Sequence, residues 1–125
     1  MAESLDTLDA AEAIRAFGLS LPGTHEDFPW GERVLKVDGK VFVFCGVEAE
    51  LDQHLGFSVK LKQTATDALE ESEASPTGYG LGRHGWVSFR YPVGEVADRA
   101  LLLARVEESY RSVAKKRRIK ELDAR

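Results

Sequence analysis

The residues best suited to chemistry in this sequence are cations, and the chemistry they suit is the neutralisation of phosphates. Lys115, Lys116, Arg117 and Arg118 run together, with Lys120 just beyond. Lys60 and Lys62 sit two residues apart in a β-prone stretch, and Arg83 and His84 precede Trp86, with Arg90 after it. A Lys or Arg held against a nucleic acid displaces condensed counterions, and an aromatic ring can stack on a base. Lys60, Lys62, Arg83, Arg90, Lys115, Lys116, Arg117 and Arg118 are therefore the candidate nucleic-acid contacts. His84 and Trp86 are candidate ligand or stacking groups. Each has a plainer explanation beside it. Lysines on a strand's wet face are ordinarily solvated. Cations at a helix C-terminus offset its dipole. A tryptophan in a strand is ordinarily core.

Catalytic and metal-binding patterns are missing. His25-Glu26-Asp27 invites a metal, but Pro29 stands where a second histidine of an H-E-x-x-H motif would be. His54 lies in a polar stretch before a strand. Cys45 is the sole cysteine, which excludes an internal disulfide and a paired-cysteine zinc site. It follows an apolar run with no activating base nearby, so it reads as a small buried hydrophobe. Gly78, Gly80, Gly82 and Gly85 match neither a P-loop nor a dinucleotide fingerprint and read as a turn-rich loop. The expectation is a non-enzyme with no cofactor and no metal.

Composition bounds what surrounds these residues. A chain of 125 residues, 43% hydrophobic and 30% charged, fits one domain over 1–125 with a real core. The net charge of −4 is unevenly spread: residues 111–125 carry +5 and residues 1–110 carry −9. Such asymmetry hints at an anionic partner at one end, although the body is acidic. The acidic N-terminus lacks a signal pattern, and no apolar run approaches the ~18 residues that span a bilayer. A cytoplasmic, membrane-free monomer is expected.

The elements that must position the cations can be read from periodicity. Leu8, Ala11, Ile14 and Phe17 recur at helical spacing from Asp6 to Phe17, with Asp6 or Thr7 as cap and Gly18 as the stop. Arg33–Val37 and Lys40–Phe44 flank Asp38-Gly39, a two-residue type I′ hairpin signal that sets Val37 opposite Lys40. In that register Leu35, Val37, Phe42 and Phe44 share one face. A third strand, Leu55–Leu61, alternates apolar residues with Gly56, Ser58 and Lys60, and Lys62 continues the wet face. Thr64, with Asp67 as a capping-box partner, starts a short middle helix. Trp86–Tyr91 is a fourth strand, closed by Pro92 and Gly94. A long helix then runs from Glu95 to about Lys116 on a stripe of Val96, Ala100, Leu103, Glu107, Tyr110 and Ala114, widened by Leu102, Val106 and Val113, ending in the basic run. The Tyr110 hydroxyl should find a partner inside the fold.

The order of motifs resembles the MmcQ/YjbR family. Leu21-Pro22-Gly23, Pro29-Trp30-Gly31 and Val37-Asp38-Gly39-Lys40-Val41-Phe42 are similar to its opening blocks. Phe57-Ser58-Val59-Lys60 resembles its third-strand block. Gly78-Tyr79-Gly80-Leu81 with His84-Gly85-Trp86-Val87 resembles its loop and tryptophan strand, and Ser109-Tyr110-Arg111-Ser112-Val113 its C-terminal helix. The resemblance spans about Leu21 to Lys116. It implies an α+β fold, an antiparallel sheet with flanking helices in a double-wing arrangement, and DNA binding with no known cofactor or reaction. The leading functional expectation is thus nucleic-acid binding. The alternatives are a protein-interaction or regulatory domain, motivated by the acidic body and the wide apolar stripe, and a small-molecule site beside the glycine-rich loop near His84 and Trp86.

Overall fold

The computed structural model describes residues 4–5, 7–45, 55–78, 80–91 and 97–125. The fold is α+β. Its strands are β1 (Ser4–Leu5), β2 (Thr24–Asp27), β3 (Val34–Val37), β4 (Lys40–Phe44), β5 (Leu55–Lys60), β6 (Ala74–Pro76), β7 (Trp86–Tyr91) and β8 (Ala97–Asp98). Its helices are α1 (Thr7–Leu19), α2 (Ala65–Ala68), α3 (Arg99–Val113) and α4 (Lys116–Asp123). Six strands form an antiparallel sheet in the order β2-β3-β4-β5-β7-β6, and β1 pairs with β8 separately. Helices α1 and α3 pack on each other and on one face of the sheet.

The four central strands fall where hydrophobic alternation places them. Asp38 and Gly39 take φ angles of 48° and 83°, the left-handed pair that a type I′ turn demands, and Val37 does pair with Lys40. Phe57, Val59, Phe89 and Leu61 are buried, and Phe57 stacks on Phe89 at 5.1 Å. The two edge strands, β2 and β6, carry no such signal. Thr24-His25-Glu26-Asp27 is polar throughout, and β6 ends in Pro76. Charge and proline are what edge strands carry to resist further pairing, and both erase apolar alternation.

One irregularity reorganises the hairpin. The β3–β4 register shifts between Leu35 and Lys36, so Leu35 pairs with Val43 while Lys36 pairs with Val41. The bulge turns both Phe42 and Val43 into the core and sends Phe44 to the opposite face, against Trp86 at 5.2 Å. The expectation that Phe44 shares the face of Leu35 and Val37 is therefore corrected. The bulge also shortens the β4–β5 ladder to two residue pairs, Val43 with Val59 and Phe44 with Ser58. Where the next pair would fall, Ser109 of α3 steps in. Its fully buried Oγ donates to the Phe42 carbonyl at 2.5 Å and accepts from the Lys60 N–H at 2.8 Å.

The helices depart from their sequence reading in three further ways. Gly18 lies inside α1 instead of stopping it, because a Cβ there would stand 2.4 Å from Leu35 Cδ1, so the glycine permits close helix–sheet approach. Thr64 does not cap α2 through its own side chain. Glu108 of α3 holds the segment leading into it, accepting from the Gln63 and Thr64 amides and from Thr64 Oγ1. The long helix begins at Arg99, capped by Asp98, and ends at Val113. Its buried stripe is Leu102, Arg105, Val106, Ser109 and Tyr110, whereas Ala100 is exposed. The hydrophobic pattern passed over Arg105 and Ser109 because they are polar. Glu95 and Val96 lie outside the described residues, as does Asp6.

Ser109→Ala leaves a buried carbonyl and a buried amide without partners and is expected to lower stability by about 2–4 kcal/mol in urea unfolding. Ser112→Ala, which loses only a bond to the Glu108 carbonyl one helical turn back, should cost less than about 0.5 kcal/mol. Equal effects of the two substitutions would refute the bridging role.

Candidate nucleic-acid interface

Strand register decides which cations meet. Thr24 pairs with Val37, Val37 with Lys40, and Lys60 with Trp86. The Asp38-Gly39 turn, the end of β5 and the start of β7 therefore lie at one end of the sheet. The C-terminal half of α3 reaches the same end, through Ser109 on Lys60 and through Tyr110, whose hydroxyl donates to the Pro22 carbonyl at 2.6 Å. Tyr110 is thus satisfied inside the fold, as its place on the stripe requires. Two strand spacings, about 10 Å, separate β4 from β7 across this end.

The basic run does not finish α3. Ala114 and Lys115 adopt extended backbone, with ψ of 150° and 155°, and a separate helix starts at Lys116. Lys116 and Arg117 consequently occupy the first turn of α4, the positive end of its dipole, where a cation is disfavoured by about 0.3–1 kcal/mol. Dipole compensation, which the sequence suggested for them, is thereby corrected. Lys115, Lys116 and Arg117 are exposed and have no ion-pair partner among the described residues. Arg118 is different. It grips Asp38 through two hydrogen bonds, Nε to Oδ2 at 3.0 Å and Nη2 to Oδ1 at 2.8 Å, and reaches Glu121 with Nη1. This hydrogen bonding holds the Asp38 carboxyl below the usual aspartate range and raises the Arg118 guanidinium.

The other candidates divide between the two ends. Lys60 is half-buried beside Trp86, and Lys40 is exposed just after the turn. Arg83 and His84 are exposed in a 3-10 turn, Leu81–His84, bounded by left-handed Gly80 and Gly85. Lys62 lies just past β5 but does not share a face with Lys60. It lines a cavity of about 300 Å³ against Glu107, Glu108 and Arg111 of α3, so the extended wet face is corrected as well. Arg90 pairs with Gly56 at the opposite end of β7 and is not brought to the others. Trp86 is 8% exposed and packed on Phe44, so its ring presents little surface for stacking. The ring of Trp30 and the residues His54 and Tyr79 lie outside what the structure describes.

Most other strong cations are consumed in ion pairs. Arg15 and Arg33 meet Glu26, Lys36 meets Asp27, Arg105 meets Glu71, and Arg111 bridges Glu107 and Asp123. Several carboxylates lie away from the turn end, namely Asp9 and Glu12 early in α1, Glu26 and Asp27 late in β2, Glu73 before β6 and Asp98 before α3, whereas Asp38, Glu107, Glu108, Glu121 and Asp123 lie near it and are engaged in ion pairs or hydrogen bonds.

Sequence reading missed the cleft between α2 and α3, a cavity of about 250 Å³ lined by Thr64, Asp67, Ala68, Glu71, Leu101, Ala104, Arg105 and Glu108. Only the polar Arg105 inside an apolar stripe could have signalled it. That guanidinium is 6% exposed and lies 4.4 Å from the Phe89 ring centre. Cys45 is also removed from reactivity, since burial pushes its thiol up to about 12 against a smaller opposing effect of Arg33. Among the described residues, no three His, Cys, Asp or Glu side chains converge on a metal position, and no helix is long and apolar enough to cross a membrane.

Two titrations check this picture. Because the Asp38 carboxyl is depressed, its stabilising pair is complete above the ordinary aspartate value of 3.8 and is lost as pH falls through the depressed value. Carboxyl NMR should give a midpoint below 3.8 that returns to it in Arg118→Ala; an unchanged midpoint would remove the pair. Cys45 should alkylate slowly in the folded protein at about pH 8.5, where an ordinary cysteine is half ionised, and rapidly in urea.

The YjbR family model matches residues 19–112, a span that holds the hairpin, the glycine-bounded turn, Trp86 and the Ser109-Tyr110 pair and stops short of Lys115. No curated protein matches the chain. On the strength of that match over most of its length, this chain belongs to the YjbR family.

Proposed function

We propose that the chain binds nucleic acid through phosphate contacts at the hairpin-turn end. The observation that carries the reading is the gathering there of cations without ion-pair partners among the described residues: Lys115, Lys116 and Arg117 around the first turn of α4, with Lys40, Lys60 and Arg83 along the sheet end. A helix N-terminus carrying cations is stabilised by an anion that its free amides can also bind, and phosphate is that anion. The small exposed area of Trp86 favours backbone contacts over base stacking. In this reading the protein is a DNA-binding, cytoplasmic monomer with no reaction of its own.

A second reading, docking of a protein partner, is favoured by Leu101 and Leu69, which are 42% and 38% exposed beside the α2–α3 cleft. Leu101→Glu would abolish such docking and leave nucleic-acid binding intact.

Fluorescence anisotropy with labelled duplex DNA, single-stranded DNA and RNA between about 50 and 200 mM salt tests the first reading, because each phosphate contact steepens the salt dependence by about 0.9 for duplex DNA. Joint replacement of Lys115, Lys116 and Arg117 by Ala should flatten the log–log slope by about 2–3, while Arg90→Ala should leave it unchanged. No binding to any of the three nucleic acids at the lowest salt would discard the reading.

A further inference from the structure

Arg118 is placed unlike its basic neighbours. Of the three residues that open α4, it alone has side-chain partners among the described residues. Its guanidinium lies over Gly23, where a Cβ would stand 2.4 Å from Nε, and Gly23 takes a φ of +74°. The Asp38 carboxylate that receives it stands on the only non-glycine residue with positive φ among those described. The turn and the glycine together form a cradle for one arginine.

The cradle matters because α4 spans only Lys116–Asp123. Isolated helices shorter than about 12–15 residues are marginal in water, so α4 depends on docking. Its distal end is tied down by Arg111 on Asp123 and by Arg125 on the Ser20 carbonyl at 2.7 Å. The proximal end follows Ala114, which packs against the core and donates its amide to the Tyr110 carbonyl; within its first turn, Arg118 is the residue with side-chain ion pairs among the described residues.

We propose that Asp38 is a positioning residue for the phosphate-binding tip. Through Arg118 it orders the first turn of α4, so that the three neighbouring cations are presented together. The inference rests on the nucleic-acid reading above. Its signature is a sign that simple electrostatics gets wrong. Asp38→Asn removes a negative charge beside the basic tip and frees Arg118, so charge alone predicts tighter binding. Arg118→Ala removes a positive charge and predicts weaker binding. Positioning predicts that both weaken it.

Asn is a favoured residue at this place in a type I′ turn, so Asp38→Asn keeps the hairpin while cutting the clamp. The experiment measures duplex DNA affinity and salt slope for the full chain, Asp38→Asn, Arg118→Ala and the double variant, with amide exchange on each. Expected are a loss of about threefold or more in Asp38→Asn, a flatter slope, and little further loss in the double variant relative to Arg118→Ala. Faster exchange should be confined to the first turn of α4, with the sheet amides unchanged. Tighter or unaltered binding by Asp38→Asn overturns the proposal, as does faster exchange across the sheet, which would mean general destabilisation. If the parent chain binds no DNA, the nucleic-acid reading fails by itself. Exchange then decides the clamp: acceleration limited to α4 sustains it and no acceleration refutes it.

Discussion

Between Phe42 and Lys60 the antiparallel ladder is interrupted, and a side-chain hydroxyl from another element completes it. The bulge in β4 leaves a carbonyl and an amide facing each other too far apart to bond, inside a core where unpaired polar groups are costly. Ser109 Oγ donates to the Phe42 carbonyl and accepts from the Lys60 amide. This contact ties α3 to both β4 and β5, beside the apolar packing of Leu102, Val106 and Tyr110. The next residue, Tyr110, then carries the same helix to Pro22, with its ring edge-on to Phe42 at 5.6 Å. The bulge, the helix and the loop after α1 are solutions to one packing problem.

The corner built this way accounts for motif residues that seem unrelated along the chain. Leu21-Pro22-Gly23 supplies the carbonyl for Tyr110 and the open surface for Arg118. Asp38-Gly39 supplies the tight turn and the carboxylate. The Gly23 carbonyl also accepts from the Asp38 amide at 3.3 Å, joining the two segments directly. Most of these residues fall within the family-matched span, whereas Lys115, Lys116, Arg117 and Arg118 fall beyond it. The corner thus lies within the matched span, and the basic run lies beyond it.

Charge has the same two-level organisation. A net −4 chain would repel a polyanion if its charges were evenly spread. Here many of the described carboxylates are held in ion pairs or hydrogen bonds, and Lys40, Lys60, Arg83, Lys115, Lys116 and Arg117 lie at the turn end without ion-pair partners among the described residues. Over distances beyond the Debye length, roughly 8 Å at physiological salt, the carboxylates away from the turn end are largely screened from a ligand bound at that end.

Sequence alone determined the four central strands, the type I′ turn, the two main helices and the burial of Tyr110, because each rests on local chemistry: alternation, positive φ at Asp-Gly, and helical spacing. It could not determine the polar edge strands, whose hydrogen bonds come from neighbours distant in the chain. Nor could it place the bulge, which costs one residue of register and is set by how β3 pairs with β4. The break at Ala114 was hidden as well, since nothing between Val113 and Lys116 forbids helix; just beyond it Arg118 meets Asp38, eighty residues away in the chain. Only the tertiary structure decided that one of four adjacent cations is a structural clamp and the other three are exposed, because the distinction depends on where a carboxylate arrives in space.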